Sequence, residues 1–273
     1  MRAADTQAAD THRRQLAEAR RQFFECGDRP VDLVNPLVLR SWERCRHFGL
    51  SEVSGLAAHA PLDRATLHTE QERNQQLLRQ GRPIMEQVYE QIRESGSLVL
   101  LADQNGLVLE SIGDADFVSR ADRVTLMAGA SWDENQRGTN AIGTALAEEA
   151  PTAIIGSEHF LEYNSFLTCC ASPVFDADGR LIGVLDISGD YRNRQRHTLG
   201  LARLSSQLVE KRLFESQYGR EILITFHTRA DYLGSLDEGI AAVSPDGQIL
   251  AMNRPGLQLL GIRRVDAVKR DFS

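Results

Sequence analysis

The feature that most narrows the fold is a double change of hydrophobic period, from helical to strand-like near Ser97 and back near His197. Within that window Thr168 to Phe175 and Leu181 to Ser188 are apolar runs of strand length. They are separated by Asp176-Ala177-Asp178-Gly179, the residue chemistry of a hairpin turn. A first hairpin reads from Ser97 to Ala102, turns at Asp103-Gln104-Asn105-Gly106 and returns to Ile112. A Gly-rich, polar stretch over 114–150 lies between the hairpins, and Thr152 to Ile155 fits a short strand. The order helices, hairpin, irregular insert, hairpin, long helix describes an antiparallel sheet with helices packed on one face, an α+β domain.

Residues 1–95 are expected to be helical. Leu16, Ala19, Phe23 and Phe24 share a helix face before Gly27 to Pro30 breaks the run. Asn35 and Pro36 make an N-cap and first helical position for a second helix that carries Leu37, Val38, Trp42 and Cys45. A long third helix is expected after Pro61-Leu62-Asp63, with an apolar stripe of Leu67, Leu77, Leu78, Ile84, Met85, Val88 and Ile92. The sheet-bearing domain is assigned to 96–213. A linker helix is assigned to 194–233, its stripe of Leu201, Leu204, Leu208 and Leu213 running on through Phe226 toward Tyr232. Residues 234–273 repeat strand, turn, strand and helix in miniature, with Asn253 as the helix cap.

Bulk numbers exclude several classes. With 42% hydrophobic and 25% charged residues the chain has the balance of a globular protein. A net charge of −7 argues against a surface built to grip nucleic acid. No run approaches the ~20 apolar residues of a membrane span, and the N-terminus lacks a signal-type stretch. Cys26, Cys45, Cys169 and Cys170 lack the spacing of a disulfide framework or a zinc site, so no metal or cofactor is expected and the default compartment is the reducing cytoplasm.

Gly138-Thr-Asn-Ala-Ile-Gly143-Thr-Ala-Leu superficially resembles a phosphate loop. Thr144 stands where that loop needs Lys, and no strand leads into it, which removes nucleotide hydrolysis. Asn140 as the cap of a helix with an early glycine is the better reading. Taken with Trp132-Asp133-Glu134, Glu158-His159-Phe160 and the second hairpin, this stretch resembles the GAF domain of AcoR-type regulators, sigma-54-dependent transcriptional activators. Asn35 to Cys45, followed by Phe48-Gly49-Leu50, is similar to that family's N-terminal helical signature. Leu236 to Ile240 with Ser244 to Arg254 resembles the opening of a PAS domain. The resemblance spans residues 31–262.

It implies a GAF fold, no enzymatic activity, and a sensory module that binds a small metabolite, acetoin-like or another small carbon compound. The signal would pass through the linker helix, in a homodimer. Full-length relatives would add an AAA+ ATPase that contacts sigma-54 RNA polymerase, and a DNA-binding helix-turn-helix. A PAS sheet cannot close on the short C-terminal segment, so the last ~35 residues are expected to be poorly packed.

Candidate ligand-binding residues are Trp132, Asn140, His159, Phe160, Tyr163, Phe166 and Cys169, with core packing of the insert as the competing role for its aromatics. Adjacent Cys169 and Cys170 point to opposite faces of a strand, as small core hydrophobes or as redox groups. Two alternatives remain: a cysteine-dependent reductase of the free methionine sulfoxide type, and a ligand-free dimerisation platform. A cyclic-nucleotide GAF lacks its signature here. Trp42 is expected to pack within its own helical bundle rather than to read DNA.

Overall fold

The computed structural model describes residues 11, 14–53, 60–193, 195 and 197–267. Helix α1 covers 14–26, its last turns π-wound, and stops at Gly27 in the left-handed region (φ 76°). Helix α2 (Pro36–His47) starts as expected, with the Asn35 side chain accepting from Leu37 N and Pro36 in the first turn. The expected single third helix is two, α3 (Arg64–Arg73) and α4 (Gln75–Ile92). Asn74 sits between them with its Nδ2 on the Glu70 carbonyl, a local bond that competes with helix propagation.

Five strands follow the expected pattern: β1 (Ser97–Asp103), β2 (Val108–Gly113), β3 (Thr152–Ile155), β4 (Leu167–Phe175) and β5 (Leu181–Asp190). They form one antiparallel sheet in the order β2-β1-β5-β4-β3, so both hairpins lie side by side and the insert spans them. The insert holds α5 (Ala115–Ala121), α6 (Glu134–Arg137) and α7 (Ala141–Glu148).

Alternation along the strands divides the core in two. Leu98, Leu100, Ala102, Leu167, Cys169, Ala171 and Val184 face the insert together with α1 and α2. Val99, Leu101, Val174, Leu185 and Ile187 face α4 and helix α8 (Thr198–Tyr218). Helices therefore cover both faces, not one, because the N-terminal pair α1–α2 lies on the insert side. Residues assigned to a separate 1–95 region are continuous with the core of the sheet. Trp42 packs against Phe23 and Phe24, as expected of a bundle residue, but its Nε1 donates to the Glu158 carbonyl of the insert (2.8 Å). A buried carboxylate ties α2 to α6 and α7: Glu134 accepts from Arg44 (2.6 Å), Thr144 (2.9 Å) and Ser41.

The helix assigned to 194–233 ends at Tyr218, and Ile222–Phe226 is strand β6. The run Ile-Leu-Ile-Thr-Phe is rich in β-branched and aromatic residues, and pairing against β7 (Gly239–Val243) overrides the leucine period before it. β8 (Ile249–Met252) completes a three-stranded sheet, and Asn253 caps α9 (Arg254–Leu260) by accepting from Gly256 N. The expectation of poor packing here is corrected over the described residues. Ile240, Ala242 and Ala251 are buried against Phe214 of α8 and Ala177 of the β4–β5 turn, because β6 supplies a third strand. A short helix, α10 (Arg264–Ala267), ends the described chain. No helix of the described residues is long and apolar enough to cross a membrane.

Candidate functional site

The insert-facing side of the sheet is mostly apolar, and β5 places two neighbouring polar side chains at its middle. On β5, Asp186 is opposite Leu100 of β1 and Ala171 of β4, and Ser188 is opposite Leu98 and Cys169. The period of two thus puts Asp186, Ser188 and Cys169 on one face. Asp186 is 1% exposed. Its Oδ2 accepts from Ser188 Oγ at 2.5 Å, while Oδ1 has no hydrogen-bond partner among the described residues. Burial pushes the carboxyl up to about 7, with the Ser188 bond opposing the shift. The Cys169 thiol is pushed up as well, first by burial and then by the neighbouring Asp186.

In the insert, two further buried polar side chains carry unpartnered atoms. His159 has no exposed surface. Its Nδ1 lies 2.8 Å from the Gly156 carbonyl, and Nε2 has no partner among the described residues. A carbonyl accepts, so Nδ1 carries the proton and Nε2 is a free acceptor. Burial lowers the imidazole to about 4, so the ring is neutral. Asn164, fully buried in the turn Glu162–Asn164, has neither Oδ1 nor Nδ2 bonded within the described chain. Buried polar atoms are nearly always hydrogen-bonded. Three such side chains, one on β5 and two in the insert, are therefore the most unusual chemical feature of this part of the chain.

The other sequence candidates fall into structural roles around this layer. Trp132 is buried, donates Nε1 to the Thr125 carbonyl (3.0 Å) and lies 5.5 Å from the Arg137 guanidinium. Asn140 caps α7 by accepting from Gly143 N (2.9 Å), and its Nδ2 donates to Trp132 O (3.0 Å) and Gly138 O (2.8 Å). Phe160 stacks edge-on against Phe24 of α1, its centroid 5.0 Å away. It also packs on Gly138, where a Cβ would sit 2.6 Å from Phe160 Cβ and φ is +64°. The half-buried Tyr163 hydroxyl is pushed up by burial, with a hydrogen bond to Arg137 opposing. Phe166 is half-buried beneath the Arg120 guanidinium (5.2 Å).

Of the seven candidates, His159 alone presents an uncommitted buried polar atom. Asp186, Ser188 and Asn164 were not singled out. The detectable signal was an acid at an inward position of the apolar run Leu181 to Ser188. No group of three or more His, Cys, Asp or Glu side chains able to hold a metal occurs among the described residues. All four cysteines are thiols rather than disulfides, and Cys169 and Cys170 are buried.

This architecture has counterparts. A solved structure of the Escherichia coli DhaR(N)–DhaL complex superposes with a TM-score of 0.64 at 19% identity, covering 87% of this chain and 81% of that one, which supports the GAF-type fold. The signal-transduction and transcriptional-control protein of Clostridium beijerinckii is 31% identical over 242 residues, 87% of this chain and 37% of that protein. The acetoin dehydrogenase operon transcriptional activator AcoR of Bacillus subtilis (strain 168) is 33% identical over 187 residues, 68% of this chain and 30% of that protein. The chain thus spans about a third of the length of these curated relatives, both proteins of transcriptional control. Residues 11–210 match the family described as MimR, N-terminal domain, and the chain belongs to that family, the sensory N-terminal region of AcoR- and MimR-type transcriptional activators.

Proposed function

We propose that this chain senses a small uncharged metabolite bearing hydroxyl and carbonyl groups, bound in the layer between the sheet and the 114–166 insert. The observation that carries the reading is the set of buried, unpartnered polar atoms on Asp186, His159 and Asn164. Leaving such atoms without partners costs about 1–3 kcal/mol each, an expense that a bound guest offsets. His159 Nε2 accepts from a guest hydroxyl, and the Asn164 amide offers both a donor and an acceptor. The neutral imidazole supplies no charge, and the Arg20 guanidinium is already engaged by Glu52, which favours an uncharged guest. The AcoR relative, named for an acetoin dehydrogenase operon, is consistent with a guest of this kind.

Signal passage runs through α8, which packs on β4 and β5 on the opposite face and leads into the PAS-like unit. The guest needs only different affinities for two arrangements of that helix. In a full-length regulator those arrangements would act on an AAA+ ATPase and, through it, on sigma-54 RNA polymerase at DNA. Leu204 and Leu208 are exposed on α8 and support a contact between two copies of the chain.

A thermal-shift screen of hydroxyketones, diols and short alcohols tests the reading. Members of that set should raise the melting temperature, and His159→Phe and Asp186→Leu should remove the rise. A screen in which only charged compounds stabilise the chain would overturn it. A cysteine-dependent reductase is disfavoured by Cys169, whose buried thiol is held protonated where a thiolate nucleophile is needed.

A further inference from the structure

Four consecutive carbonyl oxygens of the loop that carries His159 are held by the two N-terminal helices. Arg20 Nη1 on α1 donates to Ser157 O (3.1 Å) and His159 O (2.8 Å), and its Nη2 donates to Phe160 O (3.2 Å). The intervening carbonyl, Glu158 O, accepts from Trp42 Nε1 on α2. The same Nη2 also reaches Glu52 Oε2 at 2.7 Å, so the fork is oriented from both sides. Arg20 is only 11% exposed and lies 4.5 Å above the Phe24 ring, which itself packs on Phe160.

These bonds hold a loop that has no strand partner at this point. β3 ends at Ile155, and the loop's other hydrogen bonds include Ile155 N to Glu158 Oε2, Phe160 N to Thr139 O and Glu162 N to Glu52 O. A groove of about 780 Å³, lined by Arg20, Phe24, Glu52, Ser157, Glu162 and Tyr163 among others, runs along the same contact.

Resting on the effector site proposed above, we infer that Arg20 is a positioning residue for it: by gripping the Ser157, His159 and Phe160 carbonyls it fixes the loop that aims His159 into the core, so seating of α1 and binding of the effector are one coupled equilibrium. Arg20 does not touch the guest and acts through the loop. Loss of the fork frees the loop to open toward the groove, exposing the His159 ring. The N-terminal helix then belongs to the sensor itself, and a partner that pulled on it would empty the site.

The test uses the full chain in wild-type, Arg20→Met, Arg20→Lys and Glu52→Gln forms. Diethyl pyrocarbonate modification of His159 is followed by peptide mass spectrometry, with the exposed His68 as internal reference. This readout needs no effector. Arg20→Met should accelerate modification of His159 about tenfold or more relative to His68, since several charge-assisted bonds are lost. Arg20→Lys places its three donors on a single nitrogen, without the planar two-nitrogen fork that spans these carbonyls, and should fall between Met and wild type. Glu52→Gln keeps the carbonyl bonds and should stay near wild type. Should Arg20→Met fail to fold, Arg20→Lys against Glu52→Gln carries the comparison. Unchanged His159 reactivity in the Arg20 variants would overturn the inference.

A second arm measures the thermal shift given by acetoin, 2,3-butanediol and dihydroxyacetone. Reduced shifts in the Arg20 variants support the coupling, and wild-type shifts in variants with loosened loops overturn it. If no compound shifts the wild type while His159 exposure follows Arg20, the effector reading fails and the loop-holding role stands.

Discussion

Ser188 donates its hydroxyl hydrogen to Asp186 Oδ2 across 2.5 Å, two positions along one strand, and leaves Oδ1 unpartnered in the described core. Burial raises this carboxyl from 3.8 to about 7 in the folded chain. Between those values the folded state keeps a proton that the unfolded chain has lost. The contribution is therefore fully present below 3.8 and is lost as the pH climbs through about 7. The loss is on the order of 4 kcal/mol. Asp186→Asn has nothing to ionise. It should match the wild type near pH 4 and exceed it in stability near pH 8, as read by urea unfolding at both values. Equal stability differences at the two pH values would mean that the carboxylate is solvated.

His159 carries the opposite dependence. Its folded value falls from 6.5 to about 4 through burial, so in that window the unfolded chain binds the extra proton. Stability is then lost on acidification from 6.5 toward 4, on the order of 3 kcal/mol. Across the shared window the two buried groups offset each other. His159→Gln removes the His159 slope alone, and its stability relative to wild type should increase steadily as the pH is lowered through that window. A pH series of denaturant midpoints reads this directly, and a difference independent of pH would assign His159 an exposed, titrating ring.

The sheet was legible because each hairpin carries its own turn residues and apolar runs, and local chemistry at Asp103 to Gly106 and Asp176 to Gly179 fixed both. Asn35, Asn140 and Asn253 were legible as caps for the same local reason. What escaped was decided by contacts distant in sequence. Ile222 to Phe226 continued a leucine stripe and reads equally as strand; the presence of β7, thirteen residues later, decides. The site was half legible. His159 sat in a recognisable motif, but the polar character of Asp186 and Ser188 becomes unusual only once register places them inward, Asp186 between Leu100 and Ala171 and Ser188 between Leu98 and Cys169. The clustered aromatics are engaged within the chain: Trp132 Nε1 donates to the Thr125 carbonyl, and Phe160 packs on Phe24 of α1.

The cysteines give a check on chemistry. Cys26 is exposed, and Cys45, Cys169 and Cys170 are buried. Burial pushes the Cys45 thiol up to about 12 and raises Cys169 well above its ordinary value. Native chain treated with a chromogenic disulfide reagent should release one equivalent quickly, from Cys26, and the rest only on unfolding. Cys26→Ser should abolish the fast phase. A rapid phase from Cys169 or Cys170 would reopen the reductase reading.

Asn140 separates a helix cap from a wider network. Its Oδ1 caps α7 at Gly143 N, while its Nδ2 satisfies two buried carbonyls, those of Trp132 and Gly138. Asn140→Ala orphans all three groups and should cost about 3 kcal/mol, more than an ordinary cap. Asn140→Asp retains the capping acceptor but turns a carboxylate oxygen toward two carbonyls. If Asn140 served only as a cap, the Asp variant would be as stable as wild type, because acids are good caps next to helix N-termini. The network requires instead that Asp be destabilised to a similar degree as Ala. Urea unfolding of the two variants distinguishes the cases, and the emission of the buried Trp132 should shift in both as its carbonyl loses its donor.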